Sequence, residues 1–229
     1  MTCPHCSSTK VVKNGIRPNK NQNYLCHSCN RQFQENYIYR ACIPEVQRSI
    51  IDHVTHNCGV RDTAVLCKVS AKSVLKQVLK KTKSLGLQEP DDMVYESIQV
   101  DECWSYVGAK KKKRFLVHAY DPKSRKTLAV VFGKRDIHTA KRLLKALEKF
   151  NILEICTDAW EAFINVFKDY NHKVGKQFTK AIEGLHTAYR NRCKRLNRKT
   201  TGYSKVIEYH DAFILLMIWN RNRKQKDHH

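Results

Sequence analysis

Two Cys-x-x-Cys pairs near the start of the chain constrain its fold more than any other feature. Cys3 and Cys6 form the first, Cys26 and Cys29 the second, with 19 residues between them. That spacing fits a zinc ribbon, in which two tight turns each present two thiolates and together complete a tetrahedral Zn²⁺ site. Pro4 and Ser28, the second residues of the two turns, suit that geometry. Nearby basic residues favour the thiolate form. A unit spanning residues 1–40 is too small to hold together by apolar burial alone, so the Zn²⁺ is expected to be structural. His5 and His27 read as bystanders, because four Cys already satisfy the metal. The other six of the ten Cys (Cys42, Cys58, Cys67, Cys103, Cys156 and Cys193) are scattered and read as small core residues. Met1–Cys6 lacks the apolar run of a secretion signal. This argues for metal over disulfides and predicts a cytoplasmic protein.

Residues 44–83 are predicted to form an all-α helix-turn-helix. Pro44 suits the first position of a helix whose apolar spacing runs through Val46, Ile50, Ile51 and Val54 to Thr55. Asn57-Cys58-Gly59 is a stop signal, and Arg61–Cys67 makes a short second helix. Ser70 can cap a third helix starting at Ala71. Its predicted outer face carries Lys72, Ser73, Lys76, Gln77, Lys80 and Lys81, with Val74, Leu75 and Val78 inside. A basic, amide-bearing last helix suits the major groove of double-stranded DNA.

Charge supports that partner. Lys and Arg number 43 against 21 Asp and Glu, a formal +22 over 229 residues. An excess of this size usually meets a polyanion, first of all nucleic acid. Residues 1–83 alone hold 14 basic against 4 acidic side chains, and residues 184–226 hold 11 against 2. The longest apolar run, Phe213–Trp219, is far short of the about 20 residues that span a bilayer, so no membrane is expected. Gly86, Pro90 and the acidic Glu89-Asp91-Asp92 stretch mark 84–96 as a linker.

Residues 97–229 read as a larger α/β domain. Three strands are predicted over 97–108, 115–120 and 127–132, with 110–114 as a basic turn. A helix over 136–149, a strand over 152–157, a helix over 159–168 and a short strand at 172–174 follow, then helices broken near 200–202. That order is the one found in the ribonuclease-H-like fold with its mixed sheet. Alternation puts Asp101 on one face with Gln99 and Cys103, and Glu102 on the other. Two-metal phosphoryl transfer needs carboxylates from separate segments to meet around hard cations such as Mg²⁺. Asp101 on a strand, Asp158 just past one and Glu183 on a helix can supply them, with Glu161 and Glu208 as competitors for the third place. His186, Arg190 and Lys194 follow Glu183 at helical spacing and would meet phosphates beside the metals.

The residues resemble transposases of the insertion-sequence-one type, in which an InsA-like zinc ribbon and helix-turn-helix join an InsB-like catalytic half. The resemblance is carried by Val100-Asp101-Glu102-Cys103-Trp104-Ser105-Tyr106, Ala119-Tyr120-Asp121, Thr157-Asp158-Ala159-Trp160, Ile182-Glu183 and Arg195-Leu196-Asn197-Arg198-Lys199-Thr200, together with the Cys pairs, and covers nearly the whole chain. It implies an acidic triad of Asp101, Asp158 and Glu183, with the basic residue two turns later at Arg190. Arg198 and Lys199 then fall among DNA-contacting positions. This chain departs from the pattern at Cys103, where Gln is frequent, at Ala159, where Gly is usual, and at His186, where Asn is common.

The resemblance implies a DNA transposase. It would bind the terminal inverted repeats of its element, cleave a strand and transfer it to target DNA. Two Mg²⁺ or Mn²⁺ ions per active site are expected, a homodimer or higher oligomer on DNA, and a cytoplasmic, nucleoid-associated location. The alternative is a non-catalytic DNA-binding repressor, which needs only residues 1–83 and leaves the spaced acids unexplained.

Overall fold

The computed structural model describes residues 1–35, 39–85 and 93–225. Most of the expected linker, residues 86–92, lies outside these.

The N-terminal ribbon is a three-stranded antiparallel meander of β1 (Val11–Ile16), β2 (Gln22–Cys26) and β3 (Gln32–Gln34). Ser7 and Asn30, each directly after a Cys pair, have left-handed backbone (φ 58° and 51°), which turns the chain back after each knuckle. Buried Cys3, Cys26 and Phe33, with Val11, Tyr24 and Cys29 against them, form the small apolar interior of this unit among the described residues. So small an interior leaves the fold dependent on its metal.

Three helices follow: α1 (Pro44–Thr55), α2 (Val60–Leu66) and α3 (Ala71–Lys83). Pro44 occupies the first turn of α1, where its missing N–H costs nothing. The Ser70 side chain caps α3 by accepting from the Ser73 amide at 3.1 Å. Val46, Ile50, Val54, Ala64, Val74 and Val78 form one buried cluster.

The larger unit is built on a five-stranded mixed sheet in the order β10 (His172–Val174), β9 (Ile155–Thr157), β5 (Ile98–Tyr106), β6 (Lys113–Asp121), β7 (Lys126–Gly133). The long strands β5, β6 and β7 are antiparallel, while β9 and β10 run parallel to β5. A small parallel pair, β4 (Val94–Tyr95) with β8 (Asn151–Ile152), sits beside it. Lys113 and Arg114 belong to β6 rather than to the basic turn. They pair with Tyr106 and Ser105, and Arg114 is ion-paired to Asp211. The expected strand over 152–157 is divided between β8 and β9.

Strand alternation assigns the two faces. Ile98, Val100, Val117 and Ala119 bury one face under α4 (Ile137–Leu147) and α5 (Glu161–Phe167). Cys103, Leu116 and Tyr120 bury the other under α6 (Lys180–Arg192) and α7 (Ile207–Lys224). The apolar run of α7 is covered on both sides. Ile214, Met217 and Ile218 pack on the sheet side, whereas Ala212, Phe213 and Leu216 enter the cluster of α1–α3. The three-helix unit and the larger α/β unit therefore share a core through one helix. Among the described residues no helix is long and apolar enough to cross a membrane.

Candidate functional site

β9 is short and its last residue, Thr157, is in register with Val100 of β5. Beyond that point, among the described residues, no strand pairs with β5 on this edge, and the chain leaving β9 carries Asp158 beside Asp101. The Asp158 carboxylate accepts from the Trp160 amide at 3.1 Å, which orients it at the entry to α5. The Asp101 carboxylate accepts from the Glu102 amide at 2.7 Å. Oxygens of Asp101, Glu102 and Asp158 all lie within 4.8 Å of one another.

Glu102 keeps to the α4/α5 side that alternation gives it, beside Arg135 and Trp160, yet its carboxylate still comes within 4.8 Å of those of Asp101 and Asp158. β9 pairs with β5 only as far as Val100, and Asp101 and Glu102 are the next two residues of β5. The second carboxylate oxygen of Glu102 is buried without a hydrogen-bond partner. Its first is bonded to Arg135, whose guanidinium lies 4.6 Å from the Trp160 ring centroid.

Glu183 stands in the first turn of α6. The Ile182 amide donates to the Gln99 side chain at 2.8 Å, which holds this end of α6 over the sheet face that carries Asp101. Glu183 is exposed and is not part of the three-carboxylate cluster, but its charge reaches Asp101. Burial, reinforced by the charges of Glu102, Asp158 and Glu183, pushes the Asp101 carboxyl up to about 7. A site with that shift favours positive charge.

His186 is buried with Nδ1 3.7 Å from Asp101 Oδ2, and its Nε2 meets His118 Nε2 at 2.8 Å. Burial, with Arg190 and Arg198 nearby, holds His186 down at about 4, so the imidazole is neutral at pH 7. His118 was not visible as a site residue in the sequence. It faces Asp101 across the β5–β6 pair, and only the hairpin register reveals that. Arg190 donates to the Cys103 sulfur at 3.3 Å, so the Cys that departs from the family pattern anchors this arginine.

The remaining basic positions divide. Lys194 is not on the face of α6, because that helix ends at Arg192 and Cys193 is extended. The Lys194 amide instead donates to Asn57 at 3.4 Å, beside the three-helix unit. Arg198 lies 4.5 Å from the Trp104 ring centroid, with Lys113 at 5.1 Å from the same ring. Lys199 is exposed. On α3, Lys72, Lys76 and Lys80 are exposed. Ser73 is half-buried and committed to the Ser70 cap, and Gln77 is drawn in to donate to the Ala41 carbonyl at 3.3 Å.

The ribbon brings its four sulfurs together, with Cys3 to Cys29 at 3.7 Å and Cys6 to Cys26 at 3.6 Å. All four lie within 4.8 Å of one another. Four soft thiolates at this spacing fit tetrahedral Zn²⁺, and the hard carboxylate oxygens of the second cluster, one of them a buried orphan, fit Mg²⁺.

Comparison with known proteins places the two parts of the chain in families. Residues 1–30 match the family model of the InsA N-terminal domain, a zinc ribbon. Residues 94–223, more than half the chain, match that of the IS1 transposase. The insertion element IS1 protein InsB of Shigella flexneri is 39% identical over 51% of this chain and 88% of its own length. The insertion element IS1 4 protein InsB of Escherichia coli (strain K12) is 36% identical over 55% of this chain and 75% of its own length. A chain in the cryoEM structure of the simian T-cell lymphotropic virus intasome bound to a PP2A regulatory subunit aligns at 16% identity and a TM-score of 0.39. The alignment covers 75% of this chain and 64%, under two thirds, of that one. The fold assignment rests on the strand order and the sequence match, and on these the chain belongs to the IS1 transposase family.

Proposed function

We propose that the protein binds the terminal inverted repeats of its own element and catalyses strand cleavage and strand transfer there. The carrying observation is the meeting of Asp101 and Asp158 at a bare strand edge, with Glu183 held over the same face by the Gln99–Ile182 bond. Asp101, Asp158 and Glu183 are the catalytic carboxylates of this reading, and they would hold two Mg²⁺ or Mn²⁺ ions. Bound there, the cations supply charge to the attacking and departing oxygens of an in-line displacement.

In the first step water attacks the scissile phosphorus, the P–O3′ bond breaks, and the departing oxygen takes a proton to become a 3′-OH. That hydroxyl then attacks a phosphorus of target DNA, and the target's O3′ departs. Asp101, Glu102 and Asp158 form the floor of the site. Arg190 and Arg198 stand where they can bind the phosphate backbone, and neutral His186 beside Asp101 can donate or accept a hydrogen bond. No protein nucleophile is required.

Residues 1–40 act as the Zn²⁺ ribbon and 44–83 as a helix-turn-helix, with 97–229 as the catalytic domain, to which Val94–Tyr95 of the expected 84–96 linker also belong through their pairing with β8. Lys72, Lys76 and Lys80 face outward on α3 and supply backbone contacts to duplex DNA, which makes binding fall steeply with salt. Lys194 and Lys199 extend the basic path. Two element ends must be handled together, which calls for a homodimer or higher oligomer on DNA, in the cytoplasm at the nucleoid.

The test is incubation of the purified chain with labelled element-end duplex, a target plasmid and Mg²⁺ or Mn²⁺. The reading expects nicked ends bearing 3′-OH and joined products. A retarded band with neither product would leave only a DNA-binding regulator.

A further inference from the structure

Glu102 has a place in the site that the Asp101–Asp158–Glu183 set does not account for. Its side chain is only 10% exposed. One oxygen is held by Arg135, while Oε2 is buried with no hydrogen-bond partner. A buried carboxylate oxygen left unsatisfied is costly, and a charged group is costlier than a neutral one. Oxygens of Asp101 and Asp158 lie within 4.8 Å of a Glu102 carboxylate oxygen. Among the described residues no protein cation pairs with Oε2. What fits there is a small divalent cation shared with Asp101 and Asp158.

Arg135 is built to keep Glu102 in that position. It lies between the end of β7 at Gly133 and the cap of α4, where Asp136 accepts from the Thr139 amide at 2.9 Å. Its guanidinium rests on Trp160, whose ring meets buried Phe163 edge-on at 4.6 Å between centroids. Backbone and side chain are therefore both anchored, and only one Glu102 oxygen is tied up.

We infer that Glu102 is a fourth metal-holding carboxylate of this site, binding through one oxygen, with Arg135 as its positioning residue. The inference rests on the proposed reading of Asp101 and Asp158 as metal ligands. It predicts a cation seat on the β5 edge that is partly present before DNA or Glu183 completes it.

The experiment counts bound Mn²⁺ by electron paramagnetic resonance on the full chain without DNA, with a melting curve and a band shift in EDTA for each variant. Glu102→Gln is expected to weaken Mn²⁺ binding by at least about tenfold, a loss comparable to that of Asp158→Asn, and to keep the EDTA band shift. Glu102→Asp keeps the charge but retracts the carboxylate, and is expected to weaken binding several-fold even if Glu102→Gln melts early. Arg135→Gln should weaken binding in the wild type and have no further effect in the Glu102→Gln background, whereas a purely structural role would act in both. If both Glu102 variants bind Mn²⁺ as the wild type does while Asp158→Asn loses it, Glu102 is not a ligand and the original reading stands. If Asp158→Asn also binds as the wild type does, both assignments fall.

Discussion

His118 Nε2 and His186 Nε2 stand 2.8 Å apart in the interior, and the other nitrogen of His186 is 3.7 Å from Asp101. Burial lowers the pKa of both rings, so the contact is a hydrogen bond between neutral imidazoles, one of which donates. Replacing His118 with Phe leaves a buried nitrogen of His186 unpaired, an expected loss of about 1–3 kcal/mol in urea unfolding. Replacing His186 with Asn as well should cost less than the two single losses combined, with a coupling of about 0.5–3 kcal/mol in the double-mutant cycle. Strict additivity would mean that the rings act independently.

Asp101 supplies a pH dependence whose sign can be worked out. Its carboxyl is raised from 3.8 to about 7, so below that pH the folded site retains a proton that a divalent cation must displace. Mn²⁺ affinity is expected to fall by up to about tenfold per pH unit below 7 and to level off above it. Without metal, the raised value means that this group's contribution to stability declines as pH rises from 3.8 through 7. Mn²⁺ titrations at about pH 5.5 and about pH 8 read this directly; equal affinities would rule it out.

Leu216 on α7 is fully buried in the cluster that includes Val74 and Val78 of α3. Leu216→Ala is expected to cost about 2–5 kcal/mol and to raise hydrogen exchange in α1–α3 as well as in α7. Exchange that rises in α7 alone would show that the helical unit does not depend on this contact.

The ribbon should contain one Zn²⁺ per chain, and Cys26→Ala, which removes a buried ligand, should abolish it in metal analysis. A strong chelator is expected to unfold residues 1–35 while the sheet keeps its melting transition, because the α/β unit has its own apolar core. Undiminished zinc in Cys26→Ala would contradict the assignment.

The period of two along β5 put Asp101 on the face with Gln99 and Cys103, and apolar spacing with Pro44 and Ser70 placed α1 and α3 closely. Spacing also brought out the four Cys, because a metal site makes local demands on sequence. The rest depended on how elements meet. Glu102 comes within reach of Asp101 and Asp158 beside the point where β9 stops opposite Val100, which no periodicity records. His118 needed the β5–β6 register, and Lys194 left the α6 face because the helix ends two residues earlier. Phe213–Trp219, one apolar run in the sequence, has two faces, each buried against a different unit.

The central claim is that Asp101 and Asp158 carry out chemistry on DNA rather than only charge-balancing the fold. It is tested most directly by comparing cleavage rate and DNA binding in Asp158→Asn with the wild type, on the same labelled end duplex with Mg²⁺. The account predicts a band shift close to wild type and a cleavage rate lower by at least about a hundredfold. Cleavage at the wild-type rate with binding intact would contradict it.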